Sequence, residues 1–212
     1  MVYRFRNFRS NRIVAGNLDV ELYYKNASTD DWADASKESV AEPSFFVDAD
    51  GEAILWEPGV MAVTQFKVAN VGSLALKYSL ETLKTGCNNL NGHDLSEVIK
   101  FAVIDNERYT AATTREDIIA LNPAFDDFTG FTADGLLLPA DKATDEEPAE
   151  KIFTVVAYWA PGADDNLYNV NNGQETNDGA DQLYINIDIR LSATQYEYEK
   201  DSFDENYDKT AE

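Results

Sequence analysis

LYINIDIRLSATQYEY, residues 183–198, places Leu183, Ile185, Ile187, Ile189 and Leu191 at every second position, with polar side chains between most of them. A period of two is that of a β-strand with one face on a core and the other in water. The same signature recurs toward the N-terminus. Gly16–Lys25 alternates through Leu18, Val20 and Leu22, and Val63–Ala69 and Leu74–Leu83 read as two further strands. Between the last two, Asn70-Val71-Gly72-Ser73 carries turn chemistry, so the sequence predicts that they pair with each other as an antiparallel hairpin. Phe45–Asp48 and Ala53–Trp56 flank Asp50-Gly51, a second predicted hairpin. Val98–Ile104 is strand-like after a helical turn near Asp94, and Ile152–Trp159 has the apolar run of a strand buried on both faces.

Helical signals are few. Thr114 followed by Glu116, Asp117 and the apolar Ile118, Ile119 and Leu121 predicts a short helix that Asn122-Pro123 stops. The stretches 27–42, 140–150 and 161–181 read as polar or acidic loops. About eight strands without helix–strand alternation predict an all-β, jelly-roll-like two-sheet sandwich with one or two short helices and long acidic loops. The predicted division is an N-terminal arm over 1–15, one sandwich domain over 16–200 and a polar tail over 201–212.

Composition narrows function. The 212 residues hold 17 Lys and Arg against 39 Asp and Glu, a formal charge of −22, so nucleic acid and anionic lipid are poor partners. No apolar run reaches 18 residues, so no membrane insertion is expected. Cys87 is the single cysteine and His93 the single histidine, too few for an intramolecular disulfide or for a His-Glu-x-x-His zinc motif. A Cys87–His93 catalytic pair is disfavoured by the loop between them, and no catalytic residue is assigned. Asp48-Ala49-Asp50-Gly51-Glu52 and the loop from Asp164 to Asp181 are rich in oxygen ligands, which leaves calcium open, although neither fits the EF-hand spacing.

The charge is uneven. Residues 1–12, MVYRFRNFRSNR, carry Arg4, Arg6, Arg9 and Arg12 and no acid, so removing them leaves 13 basic against 39 acidic residues, or −26. A +4 segment is matched electrostatically to its own body or to that of a neighbouring copy. As a strand it places Tyr3 and Phe5 on one face, and full burial of an aromatic of this size contributes ~1.5–3 kcal/mol. Val2, Tyr3, Arg4, Phe5, Arg6, Phe8 and Arg9 are therefore the candidate site. Two readings remain open: first strand of its own domain, or a strand added in trans to another sheet.

Three ordered segments bear on that choice. Arg12–Tyr24 (RIVAGNLDVELYY), Trp56-Glu57-Pro58-Gly59 with Phe66–Tyr78 (FKVANVGSLALKY), and Ala193–Tyr196 through Glu199–Phe203 and Tyr207-Asp208 resemble the signatures of the TasA/camelysin family. These are bacterial proteins secreted through a dedicated signal peptidase, and the best understood of them build biofilm matrix fibres. The resemblance implies a jelly roll, secretion after removal of a signal peptide absent from this chain, and head-to-tail polymerisation by donor-strand exchange. Its donor would be Val2–Asn11, more basic than the family's arms. The expected partners are copies of the same chain, with or without an accessory protein that initiates or caps the fibre. The alternatives are a monomeric calcium-dependent surface adhesin and a camelysin-like metalloprotease, and the lone histidine argues against the second.

Overall fold

The computed structural model describes residues 16–28, 31–35, 45–104, 114–121, 123–125, 132–162, 165–170 and 174–196. Eight strands form two antiparallel sheets among these residues: β1 (Val20–Lys25), β2 (Ala33–Asp34), β3 (Met61–Asn70), β4 (Leu76–Cys87), β5 (Ile99–Ile104), β6 (Thr132–Leu137), β7 (Glu150–Trp159) and β8 (Ile185–Gln195). One sheet runs β2-β1-β3-β7-β5 and the other β6-β4-β8. The protein is an all-β two-sheet sandwich, as its alternating patterns predict.

Its core follows from the strand period. In β3 the buried Thr64, Phe66 and Val68 alternate with half-exposed Gln65 and Lys67, and in β4 the buried Leu76, Tyr78 and Leu80 alternate with exposed Lys77 and Ser79. These inner faces meet each other and those of β5 and β7 in one cluster that includes Phe101, Leu137, Val155 and Trp159. Helix α1 (Arg115–Ala120) lies outside the five-stranded sheet, where Ile118 packs with Ile104 and Val156. Thr114 and Asp117 close a reciprocal capping box at its start, as the sequence predicts.

One predicted pairing is overturned. β3 and β4 do not form a hairpin; they belong to different sheets, and the chain crosses the sandwich between them. The reason lies in both faces and link. A hairpin would present both apolar faces on the same side of one sheet, whereas the crossover sets them opposite each other. Asn70, 3% exposed, holds the link. Its Nδ2 donates to the carbonyls of Leu74 (2.8 Å) and Leu137 (3.2 Å), and its Oδ1 accepts from Gly72 N–H (3.0 Å).

Gly72 is required there. A Cβ on it would lie 2.3 Å from the Asn17 carbonyl oxygen and 2.7 Å from the Asp19 nitrogen, both backbone atoms that cannot rotate away. We expect Gly72→Ala to cost about 2 kcal/mol through forced backbone displacement, seen as a lower melting temperature with an unchanged far-ultraviolet spectrum.

Three other expectations change in detail. The sequence reading assigned no strand to 132–137, where Asp134-Gly135 imitates a turn; Gly135 pairs with Tyr78, whose ring fills the space a Cβ would need. The expected surface loop 27–42 contains the short β2 at its described part, paired with Tyr23 and Tyr24. Around Asp50-Gly51 a single bridge, Val47 to Ala53, replaces the expected longer hairpin. The donor-arm residues Val2, Tyr3, Arg4, Phe5, Arg6, Phe8 and Arg9, like the tail 201–212, lie outside the described residues.

Candidate functional site

Three strands facing five cannot cover the whole inner surface. β8 is the last strand of its sheet and, among the described residues, only β4 pairs with it. Its inward row Ile185, Ile187, Ile189 and Leu191 has the alternation of a buried strand, yet every member is only half-buried. Beside it runs an open groove of about 1240 Å³.

The groove has an aromatic lining contributed from several elements: Phe45, Phe46, Trp56, Phe101 and Tyr168. Phe46 meets Phe101 edge-on at 5.7 Å, and Phe45 meets the fully buried Phe66 at 5.1 Å. Leu55, 74% exposed, stands among the lining residues as an uncovered apolar side chain. Asp181 and Asp188 are the only charged residues among the described lining residues, Asp188 at the rim, at an outward position of β8. The lining mixes aromatic and aliphatic side chains with polar ones, and it is anionic where it carries charge.

Two polar knots hold the wall in place. Tyr168 ends the 3-10 turn Asp165–Tyr168 and stacks edge-on against buried Trp159 at 5.7 Å. Its hydroxyl donates to Glu97 Oε2 at 2.8 Å, and the same oxygen lies 3.0 Å from His93 Nδ1. These bonds, that of His93 first and that of Tyr168 second, hold the Glu97 carboxyl below its ordinary range. The second knot is Asn88, 1% exposed, whose Nδ2 donates to Asp178 and to the Gln182 carbonyl while its Oδ1 accepts from Tyr184 N–H. It ties the approach to β8 onto the segment that follows β4.

Asp178 closes that knot. Its carboxylate accepts first from the Thr176 hydroxyl and also from Asn88, Ala180 N–H and the Tyr184 hydroxyl, which together bring its pKa from 3.8 to about 2. A carboxyl lowered in the folded state stabilises fully above the ordinary value and stops doing so as the pH falls through the lowered one. The groove wall should therefore loosen only between about pH 4 and pH 2. Asp178→Asn should flatten the stability profile in that window, measured by urea denaturation at stepped pH.

The other polar candidates are engaged elsewhere. Asp48 Oδ1 accepts from the Asp50 and Glu52 backbone N–H groups, which makes it a turn residue. Cys87 is exposed, with its sulfur 3.8 Å from Asp94 Oδ2, while His93 turns to Glu97. Asp164 and Asn171 of the second oxygen-rich loop lie outside the described residues. Among the described residues no group of three or more His, Cys, Asp or Glu side chains is placed to hold a metal ion.

The groove opens at one end of the sandwich, and Gly16, where the described residues begin, lies toward the other. Gly16 packs on Leu74, and the Asn17 carbonyl accepts from Ser73 N–H at 2.9 Å, beside the start of β4. There Leu76 pairs with Gln195, the end of β8; eleven residues along β4, Cys87 pairs with Ile185, where the groove opens. Leu76 and Cys87 are about 36 Å apart at the rise of an extended strand, and the groove runs from the Cys87 end along β8 to Ile189. No protein-family model matches this chain, and no curated protein matches it.

Sequence reasoning identified the alternation in β8 but not the groove beneath it. Phe45, Phe46, Trp56, Phe101 and Tyr168 are scattered over more than a hundred residues. A run of large apolar residues beside loop-like segments was the only signal available.

Proposed function

We propose that this chain is the structural subunit of an extracellular bacterial filament of the biofilm-matrix kind, in which Val2–Asn11 of one copy adds as a strand to the free edge of β8 in the next. The observation that carries this reading is the edge of β8, unpaired among the described residues, beside an aromatic-lined groove at the end of the sandwich away from Gly16. A donor leaving one end and an acceptor opening at the other make a head-to-tail contact that does not close on itself, and such a contact repeats into a filament.

Dimensions and energetics agree. Ten extended residues reach about 33 Å, close to the length of β8. Each new ladder hydrogen bond contributes ~1 kcal/mol net, and Tyr3 and Phe5 facing the aromatic lining add ~1.5–3 kcal/mol each on full burial. The donor Val2–Asn11 carries three arginines and no acid, while the groove carries carboxylates and, among its described lining residues, no cation. Long-range attraction of this sign accelerates encounter.

The segments similar to TasA/camelysin proteins support the same reading and extend it to secretion and a matrix location. A structural role needs no catalytic residue, and none is assigned. The test is electron microscopy of the purified chain with and without residues 1–12: filaments from the first and monomers from the second are expected, and identical filaments from both defeat the proposal.

A further inference from the structure

Among the described residues, Asp188 has no charge partner on its own sheet. Its cross-strand neighbour on β4 is Leu83, whereas the next outward residue of β8, Arg190, faces Glu81 and pairs with it at 3.0 Å. Both stand on the exposed face of β8, opposite the inward isoleucines. A partner for Asp188 can therefore come from the strand that joins the free edge.

We infer that Asp188 sets the register of the incoming arm and its selectivity for its own kind by taking Arg4 of the next copy in an antiparallel pairing; this rests on the strand-addition reading above. Parity decides which side chains meet. In an added strand, residues at every second position share a face with their cross-strand neighbours. With Tyr3 and Phe5 turned to the groove beside Ile185, Ile187 and Ile189, Arg4 and Arg6 must stand on the face that carries Asn186, Asp188 and Arg190. Opposite charges in such a pair attract, and like charges placed opposite each other repel.

The row on β8 therefore discriminates between registers. Arg4 opposite Asp188 is matched and leaves Arg6 opposite the neutral Asn186, whereas a slip of two residues toward the end of β8 brings Arg6 to Asp188 only by setting Arg4 against Arg190, whose charge is of the same sign. A slip in the other direction meets Asn186, which offers no charge. A one-residue slip is excluded separately, because it turns Tyr3 and Phe5 away from the groove. The same row rejects arms with an acid at the matching positions, so a filament of this chain selects arms bearing arginine there.

The experiment uses full-length chains, with elongation from sheared seeds followed by light scattering at low salt. Asp188→Arg is expected to slow elongation by about tenfold or more, the effect of placing like charges together, and so is the double substitution Arg4→Glu with Arg6→Glu. Combining all three should restore growth to near the wild-type rate on seeds of the same variant, but not on wild-type seeds. Asp188 is exposed, so each variant should melt as the wild type does. Wild-type elongation by Asp188→Arg, or a triple variant no faster than its parents, overturns the register assignment. If the chain without residues 1–12 forms unchanged filaments, the strand-addition reading falls and takes this inference with it; if that truncation blocks growth while the charge swap has no effect, only the inference falls.

Discussion

A chain lacking residues 1–12 is expected to fold normally and to form no filaments. The described packing begins at Gly16, where Gly16 meets Leu74 and Asn17 bonds to Ser73, so the truncation removes none of it. The core cluster among the described residues, from Leu22 to Trp159, is built from positions beyond the deletion. The truncated chain should give a monomer in sedimentation and a melting temperature close to that of the unassembled full chain. Elongation is lost in full, because the deletion removes the whole joint: the ladder bonds, the aromatic anchors and the four arginines. The charge per copy moves from −22 to −26, which adds repulsion between copies. Filaments of the same width and repeat from the truncated chain are the result that would sink the donor-strand reading.

Phe66→Ala should cost about 4 kcal/mol, a large share of the ~5–15 kcal/mol that holds a domain folded. Phe66 is fully buried at the centre of β3, between β1 and β7, and leaves a cavity that a β-sandwich cannot easily close. It also supports the groove, since Phe45 packs edge-on against it and Tyr24 packs on Phe45 at 5.4 Å. Phe66→Leu keeps most of the volume and should cost only ~1–1.5 kcal/mol. Urea denaturation distinguishes them by midpoint, with the slope unchanged if the unfolded state is the same. A loss below about 1 kcal/mol for Phe66→Ala would contradict its place in the core.

Much of the fold could be read from local pattern. The alternation in β1, β3, β4 and β8 fixes which side chains face inward, and the Thr114/Asp117 pair marks the start of α1 before any tertiary contact is known. Reading failed where a residue's local habit was overruled by a distant neighbour. Asp134-Gly135 has turn chemistry but lies in β6, because the Tyr78 ring covers the glycine across the ladder. Asn70-Val71-Gly72-Ser73 also has turn chemistry, yet it spans two sheets, because Asn70 bonds to Leu137 and Gly72 lies against Asn17.

The candidate site divides along the same line. By itself the sequence determined that the chain is built of half-buried strands, that it is strongly acidic, and that its basic, aromatic first dozen residues stand apart from the rest. Each of these depends on spacing or charge along the chain. Only the tertiary structure decided that β8 ends its sheet with one side unpaired among the described residues, that five aromatics from separate segments line a groove beside it, and that Asp188 faces Leu83 while Arg190 faces Glu81. Edge position, groove width and cross-strand partners depend on how many strands each sheet holds and on their register, and both are set by contacts between residues far apart in the chain.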